Sequence, residues 1–161
     1  VDRAALDAAL EAGLDCGGWC PKGRRAEDGV IPQRYPLKET ESTDYRKRTR
    51  RNVVDSDGTL ILVLGVLSGG TALTGELALS EHKPLLVIDL DSPAPAGRVR
   101  GWIRDHQIRT LNVAGPRESQ RPGIAERALK YLTSVFSELG AGAGRAGLTT
   151  DGNPRRDPER G

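Results

Sequence analysis

The stretch "GTLILVLGVLSGGTALTGELAL" (residues 58–79) decides the fold. Its opening "GTLILVL" (residues 58–64) carries no charge and is rich in branched apolar residues, as a strand buried on both faces requires. A glycine pair and a threonine follow. "TALTGELALSEH" (residues 71–82) then places Leu73, Leu77 and Ala78 inward on a helix. The first N–H groups of a helix lack intrahelical partners, and the helix dipole favours negative charge there. Glycine lets a ligand approach the backbone because no Cβ intervenes. Ser68, Gly69, Gly70 and Thr71 therefore form a candidate phosphate cradle. A tight strand-to-helix turn capped by Ser68 or Thr71 accounts for the same residues, and the stretch fits neither G-x-x-x-x-G-K-[ST] nor G-x-G-x-x-G.

The alternation continues on both sides. "PLLVIDL" (residues 84–90) and "IRTLNVAG" (residues 108–115) read as strands. "APAGRVRGWIRDH" (residues 94–106) and "IAERALKYLTSVFSEL" (residues 124–139) read as helices. Upstream, "STDYRKRTRRNVVDS" (residues 42–56) predicts a helix N-capped by Ser42 or Thr43. "VDRAALDAALEAGL" (residues 1–14) predicts an amphipathic helix with Ala5, Leu6, Ala9 and Leu10 on one stripe and Gly13 as its stop. "LDCGGW" (residues 14–19) is a weak strand candidate, and residues 20–43 have the Pro and Gly of a long ordered loop. Continuous apolar strands between helices predict an α/β, Rossmann-like three-layer fold with a parallel sheet flanked by helices. Its strands are expected over residues 59–64, 85–89 and 109–113. The opening helix has no strand ahead of it, so a first strand and its loop are expected to be missing upstream of Val1. The domain is expected over residues 1–139, with a disordered Gly/Ala/Arg/Pro-rich tail over 140–161.

The totals bound the function. The 161 residues suffice for one core, and 37% hydrophobic with 29% charged residues suits a soluble protein. No apolar run approaches the ~20 residues that span a bilayer, and no secretory signal opens the chain. A formal net charge of +2 argues against a nucleic-acid partner, so "YRKRTRR" (residues 45–51) reads as a solvated helix face. A nucleic-acid module built on that helix would show a basic face and strong salt dependence. Cys16 and Cys20, spaced C-x3-C, have no histidine nearby; we expect reduced cytoplasmic thiols and no metal site.

In open parallel sheets, ligands bind beyond the carboxyl ends of the strands. Besides the glycine turn, two loops should emerge there. One offers Lys22, Arg24 and Arg25; the other offers Arg117 and Ser119. Asp89 and Asp91 end a strand at the same edge, where a ribose or cation contact competes with an ordinary turn. Glu76 could act as an acid or base but suits a solvated helix position; Trp19 could stack on a ring or pack against the long loop; Cys20 reads as an inert thiol. No catalytic residue is assigned, and a non-catalytic binder of a small phosphate-bearing ligand is expected.

Several separated motifs, in order, resemble one family. They are "VDRAALDAALEAGL" (residues 1–14), "GGWCPKGRRAEDGVIPQRYPLKET" (17–40), "DYRKRTRRNVVDSDGTLIL" (44–62), "LSGGTALT" (67–74) and "LNVAGPRESQRPGI" (111–124). Over about residues 1–137 the chain is similar to the bacterial molybdenum carrier proteins, a circularly permuted YpsA-like branch of the SLOG group of Rossmann-like ligand binders. Members usually begin with a strand and a "SGGQTG"-like loop just before the position of Val1. The resemblance implies binding of molybdenum cofactor or a nucleotide-derived ligand, in a cytoplasmic protein that we expect to be a homo-oligomer. The wider group includes phosphoribohydrolases with the signature P-G-G-x-G-T-x-x-E, which makes hydrolysis of a nucleoside monophosphate the alternative. Here Gly69 and Gly70 run straight into Thr71, Thr74 stands three residues after it, and Glu76 comes two later. That departure argues against the hydrolase.

Overall fold

The computed structural model describes residues 1–142. Helix α1 (Asp2–Glu11) leads to a short strand β1 (Gly18–Cys20), then to a minimal hairpin of β2 (Arg25–Ala26) and β3 (Gly29–Val30). Strand β4 (Leu37–Glu39), helix α2 (Tyr45–Val54) and strand β5 (Gly58–Val63) follow. The rest is α3 (Gly69–Ser80), β6 (Leu85–Asp89), α4 (Ala96–Asp105), β7 (Leu111–Ala114) and α5 (Ile124–Gly142). Helix α5 continues past Leu139, and the remainder of the expected tail lies outside the described residues.

The three apolar strands pair in the order β6-β5-β7, all parallel. Thr59 stands opposite Leu85 on one side and Asn112 on the other. Every residue of β5 is buried, which is why its sequence runs apolar without alternation. On one face Leu60, Leu62, Ile88, Leu111 and Val113 pack with Val99 and Ile103 of α4 and with Ile124, Ala128, Leu132 and Phe136 of α5. Ala4, Ala5, Ala8 and Ala9 of α1 join the same core, their small side chains letting that helix lie close to α5. The opposite face carries Thr59 and Ile61, and Ile61 reaches Gly75 of α3. Thr59 is polar and buried there, and Asn112 donates to its Oγ1 at 3.3 Å, so neither polar group is left unpaired. The α/β expectation holds: a parallel sheet flanked by helices, as in a Rossmann-like fold.

Residues 20–43, expected as one long loop, hold three short strands. β1 and β4 pair in parallel with each other, and β2 pairs antiparallel with β3. A second apolar cluster of Leu6, Cys20, Ile31 and Tyr35 lies beneath them. Two- and three-residue strands leave no periodic signal, which is why sequence patterning passes over them. The N-cap of α2 also differs from expectation. Asp44 caps it, accepting from Arg46 N at 2.9 Å, while the Ser42 hydroxyl accepts from Asp44 N.

Gly115, directly after β7, has no room for a side chain. A Cβ there would lie 2.6 Å from the Leu62 carbonyl oxygen and would strike the Val1 side chain. The carbonyl belongs to the central strand and cannot move. Gly115→Ala should therefore cost about 1–3 kcal/mol, read as a lower urea midpoint with an unchanged m-value. An unchanged midpoint would show that the two chain segments are free to separate.

Candidate functional site

The carboxyl edge of the sheet gathers the helix N-termini. The loop from β5 to α3 leads off with Gly65, whose N–H donates to Asp89 Oδ1 at 3.1 Å. Ser68 stands at the N-cap of α3 in extended conformation, yet its side chain makes no capping bond. Gly69 follows with φ +57°, a conformation that favours glycine. A Cβ on Gly69 or Gly70 would meet nothing within 4 Å, so open space lies over this helix end. Thr71 is buried beneath it, and the Thr74 hydroxyl donates to the Gly70 carbonyl at 3.1 Å. By contrast, carboxylates already occupy two neighbouring helix starts. Asp44 caps α2, and Glu118 accepts from Gly123 N and from Ala125 N at the start of α5. Those bonds hold the Glu118 carboxyl below its usual range. The α3 terminus is the one of these three whose N–H groups no side chain has claimed.

The loop after β7 closes over the same place. Pro116 and Arg121 share a recess with Ser68 and Thr71, floored by Val63 and Leu64. In the same loop the Arg117 guanidinium stacks 4.8 Å above the Tyr45 ring, at the N-terminus of α2. Arg48, one turn along α2, lies 5.4 Å from the same ring and 3.4 Å from Asp2 at the start of α1. Its Nε is buried and donates to no described residue. Two guanidinium groups thus meet on one tyrosine, one of them from the loop that lines the recess at the open helix N-terminus, an arrangement suited to an anion with a planar body.

A family description, the circularly permutated YpsA SLOG family, matches residues 1–136. The chain belongs to the circularly permutated YpsA SLOG family. A solved structure from Syntrophus aciditrophicus SB, named "Putative molybdenum carrier protein", is 47% identical in sequence. The match covers 84% of this chain and 87% of that one, with a TM-score of 0.79. No curated protein matches.

Within this cpYpsA chain the expected site residues divide by role. Ser68, Gly69, Gly70 and Thr71 form the open helix start, with Arg117 in the adjoining loop. Arg24 does not face that space. It is buried, and its guanidinium donates to the carbonyls of Ile31, Pro32, Tyr35 and Leu37 at 2.9–3.1 Å. Its φ of +52° turns the chain for that purpose. Ser119 is engaged through both its N–H and its hydroxyl with the Glu27 carboxylate, which clamps the β2–β3 hairpin to the β7–α5 loop. Lys22 is exposed, and its N–H donates to the Ser42 carbonyl. Arg25 is exposed on β2. Glu76 is exposed on α3, about 9 Å along the axis from Gly70. Tyr45, Arg48 and Arg121 were absent from the sequence expectation. The signal for the first two was a single aromatic opening an otherwise basic run, "YRKRTRR".

Burial pushes the Cys16 and Cys20 thiols up, so neither offers a thiolate at neutral pH. Among the described residues no three His, Cys, Asp or Glu converge to hold a metal ion. No described helix is long and apolar enough to cross a membrane.

Asp89 braces the glycine loop from β6. Backbone N–H bonds from Asp91 and Gly65 hold its carboxyl below the usual range. A depressed folded value means that this brace stabilises the protein above the unfolded pKa of about 3.9. The contribution fades as pH falls through the folded value. Asp89→Asn should flatten the acid limb of the stability curve below about pH 4, and thermal melts of wild type and variant across that range will show it. Superimposable acid limbs would remove Asp89 from this role.

Proposed function

We propose that this protein binds a phosphate-bearing pterin or nucleotide-derived ligand at the carboxyl edge of its sheet, and that it serves as a molybdenum cofactor carrier. One observation carries the reading: the uncapped, glycine-opened start of α3 shares a recess with Pro116 and Arg121, and the same loop carries Arg117, which stacks with Arg48 on Tyr45. A phosphate fits the helix N–H groups and the guanidinium groups. A planar ring fits the tyrosine and its stacked arginines. The 47% identical structure named as a carrier supports the choice of cofactor. The described donor set suits the organic part of such a cofactor rather than the bare metal, since no side-chain cluster offers a metal three ligands. Ser68, Gly69, Gly70, Thr71 and Arg117 would take the phosphate, and Tyr45 would take the ring.

Calorimetric titration with AMP, GMP and molybdenum cofactor tests this. Wild type should bind one of the three, and Arg117→Ala should bind it about 10–150-fold more weakly, the loss of one charge-assisted hydrogen bond. Equal affinity in both proteins, or no binding by wild type, would overturn the reading.

A further inference from the structure

Helix α2 presents a second face to a cleft away from the sheet edge. Lys47, Arg50, Arg51 and Val54 follow the i, i+3, i+4, i+7 spacing and form one wall of a cleft of about 450 Å³. The loop residues Thr40, Glu41 and Ser42, and Asp55 at the C-cap of α2, also line it. None of these residues takes part in the recess at the sheet edge. The volume lies within the range of about 300–1,000 Å³ typical of small-molecule sites. Lys47 has no ion-pair or hydrogen-bond partner among the described residues, and the Arg50 contact with Glu81 is a long, exposed one at 3.3 Å. Arg51 is held flat against the Trp19 ring at 4.5 Å, and the indole N–H donates to Asp55 at 2.8 Å. Two cations are thus available at one end, and a third is fixed in orientation by an aromatic face. Glu41 supplies an acceptor, and half-exposed Val54 supplies an apolar contact.

We propose that this cleft is a second ligand site, for a phosphate monoester on a polyhydroxylated body of the ribose phosphate class. Lys47 and Arg50 take the phosphate, Arg51 donates to it or to a ring oxygen, and Glu41 accepts from ligand hydroxyls. The site is independent of the proposed carrier function and does not require it.

Trp19 is the natural probe, with Trp102 the other tryptophan of the chain. In ¹⁵N-labelled protein, ribose 5-phosphate should shift the Trp19 indole and the amides of residues 40–55 saturably, leaving the Trp102 indole in place. Inorganic phosphate should do the same more weakly. Lys47→Ala with Arg50→Ala should weaken binding at least tenfold, while Arg117→Ala should leave it unchanged. Both replaced side chains are exposed on a helix that alanine favours, so the double variant should fold. The proposal is overturned by absence of saturation at about 10 mM ribose 5-phosphate, about 2.7 kcal/mol of affinity. It is equally overturned by undiminished binding in the double variant, or by shifts that appear with single-stranded RNA and with neither small phosphate.

Discussion

Gly70→Val is expected to weaken binding of a nucleotide or pterin phosphate about a hundredfold, the loss of one strong charge-assisted hydrogen bond, while the fold survives. The two halves of this expectation rest on one fact. A Cβ at Gly70 meets no protein atom within 4 Å, so the branched side chain projects into the space a ligand would fill and strains nothing else. Gly69 makes a poorer test, because its φ of +57° would confound lost binding with backbone strain. Far-ultraviolet circular dichroism and the melting temperature should stay near wild type, apart from a few tenths of a kcal/mol for valine in a helix. If the variant binds as tightly as wild type, the loop is a turn and the phosphate lies elsewhere.

The largest stability effect is expected at Arg24. Replacing it by alanine removes a donor from each of four carbonyls within residues 31–37, of which Pro32 and Tyr35 keep a backbone N–H. An unsatisfied buried carbonyl costs about 1–3 kcal/mol, although an opened loop regains part of that from water. A net loss of about 3 kcal/mol, or roughly 6–12 °C in melting temperature, follows for a chain of this size. Lysine should not rescue it, since one ammonium cannot span carbonyls arranged for a planar fork. Ligand affinity should fall as a secondary effect, because the hairpin that carries Glu27 grips Ser119. A melting temperature within 2 °C of wild type, on the order of 1 kcal/mol or less, would place the loop's stability in its apolar contacts instead.

Strong local patterns made most of the fold readable. β5 is a wholly buried, nearly all-apolar run, β6 an apolar run at the sheet edge with Val87 exposed, and β7 an apolar run broken by Asn112; such runs between turn residues point to parallel strands. Their helices announce themselves by spacing. The segment from Cys20 to Thr43 did not, because what organises it is one buried arginine and a tyrosine whose hydroxyl donates to Asp7, contacts with no period in sequence. The site was half readable. Ser68 to Thr71 could be found because a glycine pair after a strand has a mechanical meaning. Arg24 looked like an anion ligand because side-chain direction cannot be read from a charged loop. Tyr45 and Arg48 escaped because the last contact that gives them a role comes from Arg117, far along the chain.

The order of strands in the sheet also sets an order in time. β5 lies in the middle, yet both of its partners are made later: Leu85 for Thr59 on one side, and on the other Asn112, a separation of 53 residues. During synthesis the most apolar strand of the protein must wait, unpaired along one edge, until that second partner has emerged. Closing so long a loop adds entropic cost and slows folding relative to local helix pairing. Arg117 and Arg121 follow β7 by a few residues, so the recess beside α3 takes shape only once the sheet has closed. A nascent chain halted before β7 therefore carries the glycine turn but not the recess, and under the proposed function a ligand would engage only a chain whose central strand is already protected.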